Sequence, residues 1–181
     1  MPGFSPSPQG RIALLLAAAL SLAGCEKGQG GASSASGSKH PLIGSPAPDF
    51  DLPAQSGGRR ATLGAASGKV ALVDFWATWC EPCRVSFPHY EALAKKFGGD
   101  VVVVGISEDD EPDGIKAFAK ETGATFPLAW DANKNVAAGY HPDSMPTSFL
   151  VDKNKLVRFV HDGFRPGDES VIEDQVKELL K

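Results

Sequence analysis

The chain lacks a second pair of closely spaced cysteines. Only three Cys occur in 181 residues, and just Cys80 and Cys83 lie near one another. A zinc site on that pair would be two ligands short, since the four His are scattered. Covalent haem attachment needs a His directly after Cys83, and Arg84 stands there. No long basic run exists, and the formal net charge is −4. Nucleic acid is therefore excluded as the main partner, because phosphate neutralisation needs clustered Lys and Arg. No apolar run reaches the ~20 residues of a membrane-spanning helix. There is no internal repeat.

What is present begins with a leader. Residues 12–23 form an apolar run behind Arg11, too short to span a membrane and suited to the h-region of a signal peptide. It ends in Leu22-Ala23-Gly24-Cys25, which resembles the bacterial lipobox, whose cysteine becomes the lipidated first residue of the mature protein. The alternative is an ordinary secretory signal with a chance cysteine. Lipidation of Cys25 also accounts for the odd thiol. The Gly/Ser-rich stretch that follows reads as flexible coil holding a domain off the membrane. The expected organisation is a signal peptide over 1–24, lipidated Cys25 and a linker over 25–40, and a folded domain over 41–181. Hydrophobic residues at 42% and charged residues at 22% suit a packed core there.

Within that domain, Gly57-Gly58 between short apolar alternations predicts a hairpin. The dense run V-A-L-V-D-F-W over 70–76 reads as a strand buried on both faces. A helix is expected from Pro82 to Phe97, with Pro at its start and Pro88 bending it. A second buried strand over 101–106 follows, then a helix over 112–121, a short strand over 126–130 and a short helix over 133–140. Residues 149–151 and 156–160 flank a turn and read as a hairpin. A last helix over 168–180 has acids at its start and lysines near its end. This order predicts an α/β domain with a mixed central sheet and helices on both faces.

The string Trp79-Cys80-Glu81-Pro82-Cys83 sits where a buried strand meets a helix. Unsatisfied N–H groups at a helix start favour a thiolate, so Cys80 is the expected nucleophile. Cys83, one turn on, reaches a mixed disulfide on Cys80 and resolves it. A purely structural disulfide is the competing reading, although so short a loop staples little.

The string V-D-F-W-A-T-W-C-E-P-C, with Pro88 beyond it, resembles thioredoxin. With C-E-P-C, the leading G-S-P-A-P-D-F-D-L and the lipobox, residues 41–181 are similar to the TlpA/ResA-type membrane-tethered thioredoxins of bacteria. That resemblance implies a thioredoxin-like fold with an N-terminal β-hairpin extension and a central insertion. It implies a redox-active Cys80–Cys83 disulfide, with Asp74 behind it relaying the Cys83 proton; the alternative for Asp74 is a wet strand face. It also implies a cis bond between Met145 and Pro146 in a loop beside the cysteines. Met145 and Thr147 there flank an extended substrate, where the residues alone allow an ordinary turn. Glu81 either tunes the Cys80 pKa or simply faces solvent. Trp79 is expected to shield the site partly exposed, with Phe75 and Trp76 in the core and Trp130 and Tyr140 as packing residues. His141 and His161 receive no role.

The function so implied is thiol–disulfide exchange, reducing disulfides of extracytoplasmic proteins such as apocytochrome c or metal-site cysteines. Its partners are protein disulfides or dithiols and a membrane electron donor of the thiol-relay type. The domain is expected to be a monomer on a lipid anchor facing the periplasm or extracytoplasmic space, with no cofactor and no metal. Two alternatives rest on other features. G-S-P-A-P-D-F-D-L also resembles the start of peroxiredoxins, whose peroxidatic cysteine follows a Thr-x-x setting. A copper-binding module on the same fold has three residues between its cysteines and a distal His, neither of which is evident here.

Overall fold

The computed structural model describes residues 40–181. The expected signal peptide, Cys25 and all of the linker except His40 lie outside the described residues. His40 is buried, and its Nε2 lies 3.1 Å from the carbonyl of His141.

Seven strands form one sheet. The N-terminal hairpin pairs β1 (Asp51–Ser56) with β2 (Arg60–Thr62). Its turn depends on Gly57, at φ +75, where an added Cβ would sit 1.9 Å from the carbonyl oxygen of Phe126. The centre is β3 (Val70–Trp76), wholly buried. It pairs in parallel with β4 (Val101–Ser107) and antiparallel with β6 (Thr147–Val151). Beyond β4 lies β5 (Leu128–Trp130), and beyond β6 lies β7 (Val157–Asp162). The full order is β2-β1-β5-β4-β3-β6-β7. The mixed sheet is as expected.

Four helices cover it: α1 (Glu81–Phe97), α2 (Ile115–Thr122), α3 (Asn135–Tyr140) and α4 (Asp168–Leu180). Side chains alternate along β3 and divide the core. Val70, Leu72 and Trp76 pack with Cys83, Phe87 and Tyr90 of α1, Phe118 of α2 and Ile172 of α4. Ala71, Val73 and Phe75 pack on the other face with Phe50, Phe149 and Tyr140 of α3. Each large apolar side chain so buried contributes about 1.5–3 kcal/mol. Phe75, Trp76 and Tyr140 are core residues, as expected.

Several boundaries move for local reasons. The strand expected over 126–130 starts at Leu128, because Pro127 has no N–H to give the ladder; its carbonyl instead accepts from the Gly105 N–H at 2.9 Å. The helix expected from 133 starts at Asn135, where the Asp131 carboxylate accepts from the N–H groups of Asn135, Val136 and Ala137. The helix expected from 112 starts at Ile115. α1 begins one residue early, at Glu81, and runs unbroken through Pro88.

Candidate active site

β3 ends at Trp76, and a four-residue bend over 77–80 carries the chain into α1. Cys80 is the N-cap of α1, and its Sγ accepts from the Cys83 N–H at 3.2 Å. The two thiols are joined as a disulfide with Cα atoms 5.3 Å apart. Cys83 is fully buried and Cys80 nearly so. Among the described residues, no group of three or more His, Cys, Asp or Glu is arranged to hold a metal ion.

The bend is held from both sides of Thr78. Its N–H donates to both Asp109 carboxylate oxygens at 3.1 and 3.0 Å, and its hydroxyl donates to Asp109 at 2.8 Å. Its carbonyl accepts from Arg84 Nη2 at 2.7 Å. Arg84 also pairs with Glu121 and lies 4.9 Å over the Phe118 ring. Trp130, expected to be packing alone, braces the other end by donating its indole N–H to the Asp109 carbonyl at 2.8 Å. Neither Asp109 nor Arg84 was singled out in the sequence. The one signal for Arg84 is its place directly after Cys83.

Asp74 lies on the α1 face of β3 and is fully buried, so the wet strand face is ruled out. Its Oδ1 accepts from Ser148 Oγ at 2.6 Å, and its Oδ2 has no partner among the described residues. Burial pushes its pKa from 3.8 up to about 8, against the pull of the Ser148 hydrogen bond. The carboxyl is therefore mostly protonated at neutral pH, with a minority present as carboxylate.

Around the cysteines, Trp79 is 70% exposed, and Val85 is also exposed. Glu81 points to solvent, 3.6 Å from Arg84. Beside Pro82, a hollow of about 430 Å³ is lined by Val85, His89, Phe164 and Arg165 among others. The Met145–Pro146 bond is cis. Met145 packs against the apolar cluster that holds both cysteines, and Pro146 is buried. Thr147 is fully buried, and its hydroxyl returns to the Ser144 carbonyl at 2.7 Å, so its side chain does not face outward. His161 contacts Gln175, at 2.7 Å, and His141 is exposed.

The comparisons with known proteins agree with this geometry. A model described as the AhpC/TSA family matches residues 43–160. The chain belongs to the AhpC/TSA family. The thioredoxin-like protein YneN of Bacillus subtilis is 37% identical over 66% of this chain and 71% of its own length. The thiol–disulfide oxidoreductase ResA of Geobacillus kaustophilus is 35% identical over 67% of this chain and 70% of its own. A crystal structure of a thiol:disulfide interchange protein assigned as DsbE, from Chlorobium tepidum, superposes with a TM-score of 0.72. It is 36% identical and covers 77% of this chain and 98% of that one. Within the AhpC/TSA family this chain is a thioredoxin-like thiol–disulfide oxidoreductase. No helix among the described residues is long and apolar enough to cross a membrane.

Proposed function

We propose that this chain reduces disulfide bonds of extracytoplasmic proteins through Cys80 and Cys83, from a lipid anchor on Cys25. The Cys80 thiolate attacks a substrate disulfide, forms a mixed disulfide and expels the first substrate thiolate. Cys83 then gives its proton to Asp74 in its carboxylate form, a minority at neutral pH, and attacks Cys80 Sγ. The Cys80–Cys83 disulfide forms, and the second substrate thiolate leaves. Two electrons pass from the dithiol to the substrate, and a membrane thiol relay resets the pair. Substrates of this class include disulfides between apocytochrome cysteines that are to receive haem and between cysteines that are to receive a metal.

The Cys83 N–H donated to Cys80 Sγ carries the reading. In the reduced chain the same N–H, at the positive end of α1, holds a thiolate on Cys80. The substrate surface rests on exposed Trp79 and Val85 and on the hollow beside Pro82. The Met145 backbone makes no hydrogen bond among the described residues, which suits pairing with an extended peptide. Pro146 and Thr147 support that loop from beneath, and Glu81 acts only as a remote charge.

Equilibrating the full chain against glutathione tests the direction. A potential near ~−270 mV supports a reductant, and one near ~−120 mV overturns it in favour of a disulfide-forming enzyme. Cys83→Ala should trap mixed disulfides on Cys80, and their identity gives the substrate.

A further inference from the structure

Asp74 is part of a buried cluster that includes two hydroxyls from other elements. Its register partner on β6 is Ser148, so the two side chains leave the sheet on the same face. Ser148 Oγ lies 2.6 Å from Asp74 Oδ1 and 2.6 Å from the Tyr90 hydroxyl. Tyr90 and Cys83 are seven positions apart on α1, which sets them on one face, two turns from each other. Between them, Ser86 Oγ donates to the Cys83 carbonyl at 3.2 Å. Asp74, Cys83, Ser86 and Ser148 are 0% exposed and Tyr90 1%. Bulk water does not reach the cluster, so its proton arrangement is internal.

Counting protons orients it. Ser148 has one hydroxyl proton, and it goes to Asp74 Oδ1. Tyr90 must then donate to Ser148, and both hydroxyls point their protons toward the carboxylate. Oδ2 is left without a partner. A proton arriving on Oδ2 neutralises Asp74 without turning either hydroxyl round.

We propose that Ser148 and Tyr90 are positioning residues for Asp74, filling Oδ1 so that Oδ2 alone takes up and returns the Cys83 proton. This rests on the reading of Asp74 as the proton relay. The step balances: Cys83 loses a proton to Oδ2 as its sulfur bonds to Cys80 Sγ, and the substrate thiolate leaves with the electron pair.

Few charged groups act on this cluster. From α1 come Tyr90 and the cysteines, and from the start of α4 Asp168 acts on Tyr90. β6 contributes no titratable group, and β4 places Gly105 opposite Asp74. On β7, His161 lies opposite Ser148 but is engaged by Gln175. No cation pairs with Asp74 among the described residues. Ser148 is therefore the chief group favouring the carboxylate.

The test uses the reduced full chain and one equivalent of a symmetric aromatic disulfide whose thiolate is coloured. The first thiolate is released on Cys80 attack and the second on Cys83 resolution. Ser148→Ala should move the pH limb of the second phase alkaline by about one unit, about a tenfold slowing at pH 7, and leave the first phase unchanged. Tyr90→Phe should move it the same way by less, and Ser148→Thr should restore it. A limb that stays in place in both Ser148→Ala and Tyr90→Phe overturns the proposal, as does a slowing equal at every pH. Asp74→Asn separates the two levels: if it leaves the second phase unchanged, the relay reading itself falls. If it removes the limb while the hydroxyl variants do not shift it, only the positioning role falls.

Discussion

Two buried aspartates flank the cysteine turn, Asp74 on its sheet side and Asp109 beside the bend, and they are supplied with donors very differently. Asp109 follows β4 and receives the Thr78 N–H, the Thr78 hydroxyl and the Ser107 hydroxyl, the last at 2.7 Å. Both of its oxygens are occupied. Asp74 receives one hydroxyl and keeps one oxygen bare. The same side chain, buried in both places, thus meets two different sets of donors. A carboxylate filled with donors braces the backbone around it, and one buried with too few of them has its pKa raised.

The sharpest way to break that comparison is the pH dependence of stability. The folded pKa of Asp74 is raised to about 8 from 3.8, so between those values the folded chain binds a proton that the unfolded chain releases. Stability is full below about pH 4, falls as pH rises through this window, and levels off above about 8. Asp74→Asn removes the slope. Its advantage over wild type in urea unfolding should be larger at pH 8 than at pH 4 by about 3 kcal/mol or more. A smaller slope should remain from Glu108, whose pKa burial raises to about 7. Identical pH dependence in variant and wild type would show Asp74 to be another bracket.

Asp109→Ala should behave oppositely. It strands the Thr78 N–H in the bend and should cost about 2–3 kcal/mol at pH 7. Urea unfolding checks it; a loss below about 0.5 kcal/mol would count against a bracket. Gly105→Ala tests the strand between the two aspartates. Its Cβ would meet Leu128 at 2.6 Å and Trp76 Nε1 at 2.9 Å, and the crowding should cost about 1–3 kcal/mol. The smallest effect belongs to Glu81→Gln. The Glu81 side chain is 83% exposed, so screening should keep the Cys80 pKa within about half a unit of wild type. A larger drop, followed by thiolate absorbance, would make Glu81 a tuning residue after all.

Much of this site was legible along the chain. Cys80 and Cys83 at a strand–helix junction announce themselves, because one short stretch holds the thiols, the helix start and Pro82. Asp74 stood out as a charge in an apolar run, and the Met145–Pro146 loop was reached by resemblance. The partners that decide what Asp74 and the bend do were not legible. Ser148 is 74 residues from Asp74, Tyr90 is 58 from Ser148, and Asp109 is 31 from Thr78. A lone Ser or Tyr in an apolar stretch carries no local sign that it faces a carboxylate. Thr147 shows the converse: the resemblance set it beside an extended substrate, while its side chain is buried and turned to the Ser144 carbonyl.

The sequence by itself determined the strands, the helices and the reactive pair. Those follow from periodicity, turn residues and the local field at a helix start, which act over a few residues. Only the tertiary structure decided that the N-terminal hairpin docks on β5, that β3 lies between β4 and β6, and that Ser148 faces Asp74. Strand order and register are settled by which apolar faces bury together, and burial decides which polar atoms find donors. The protonation of Asp74 follows from that placement, beyond the reach of any pattern along the chain.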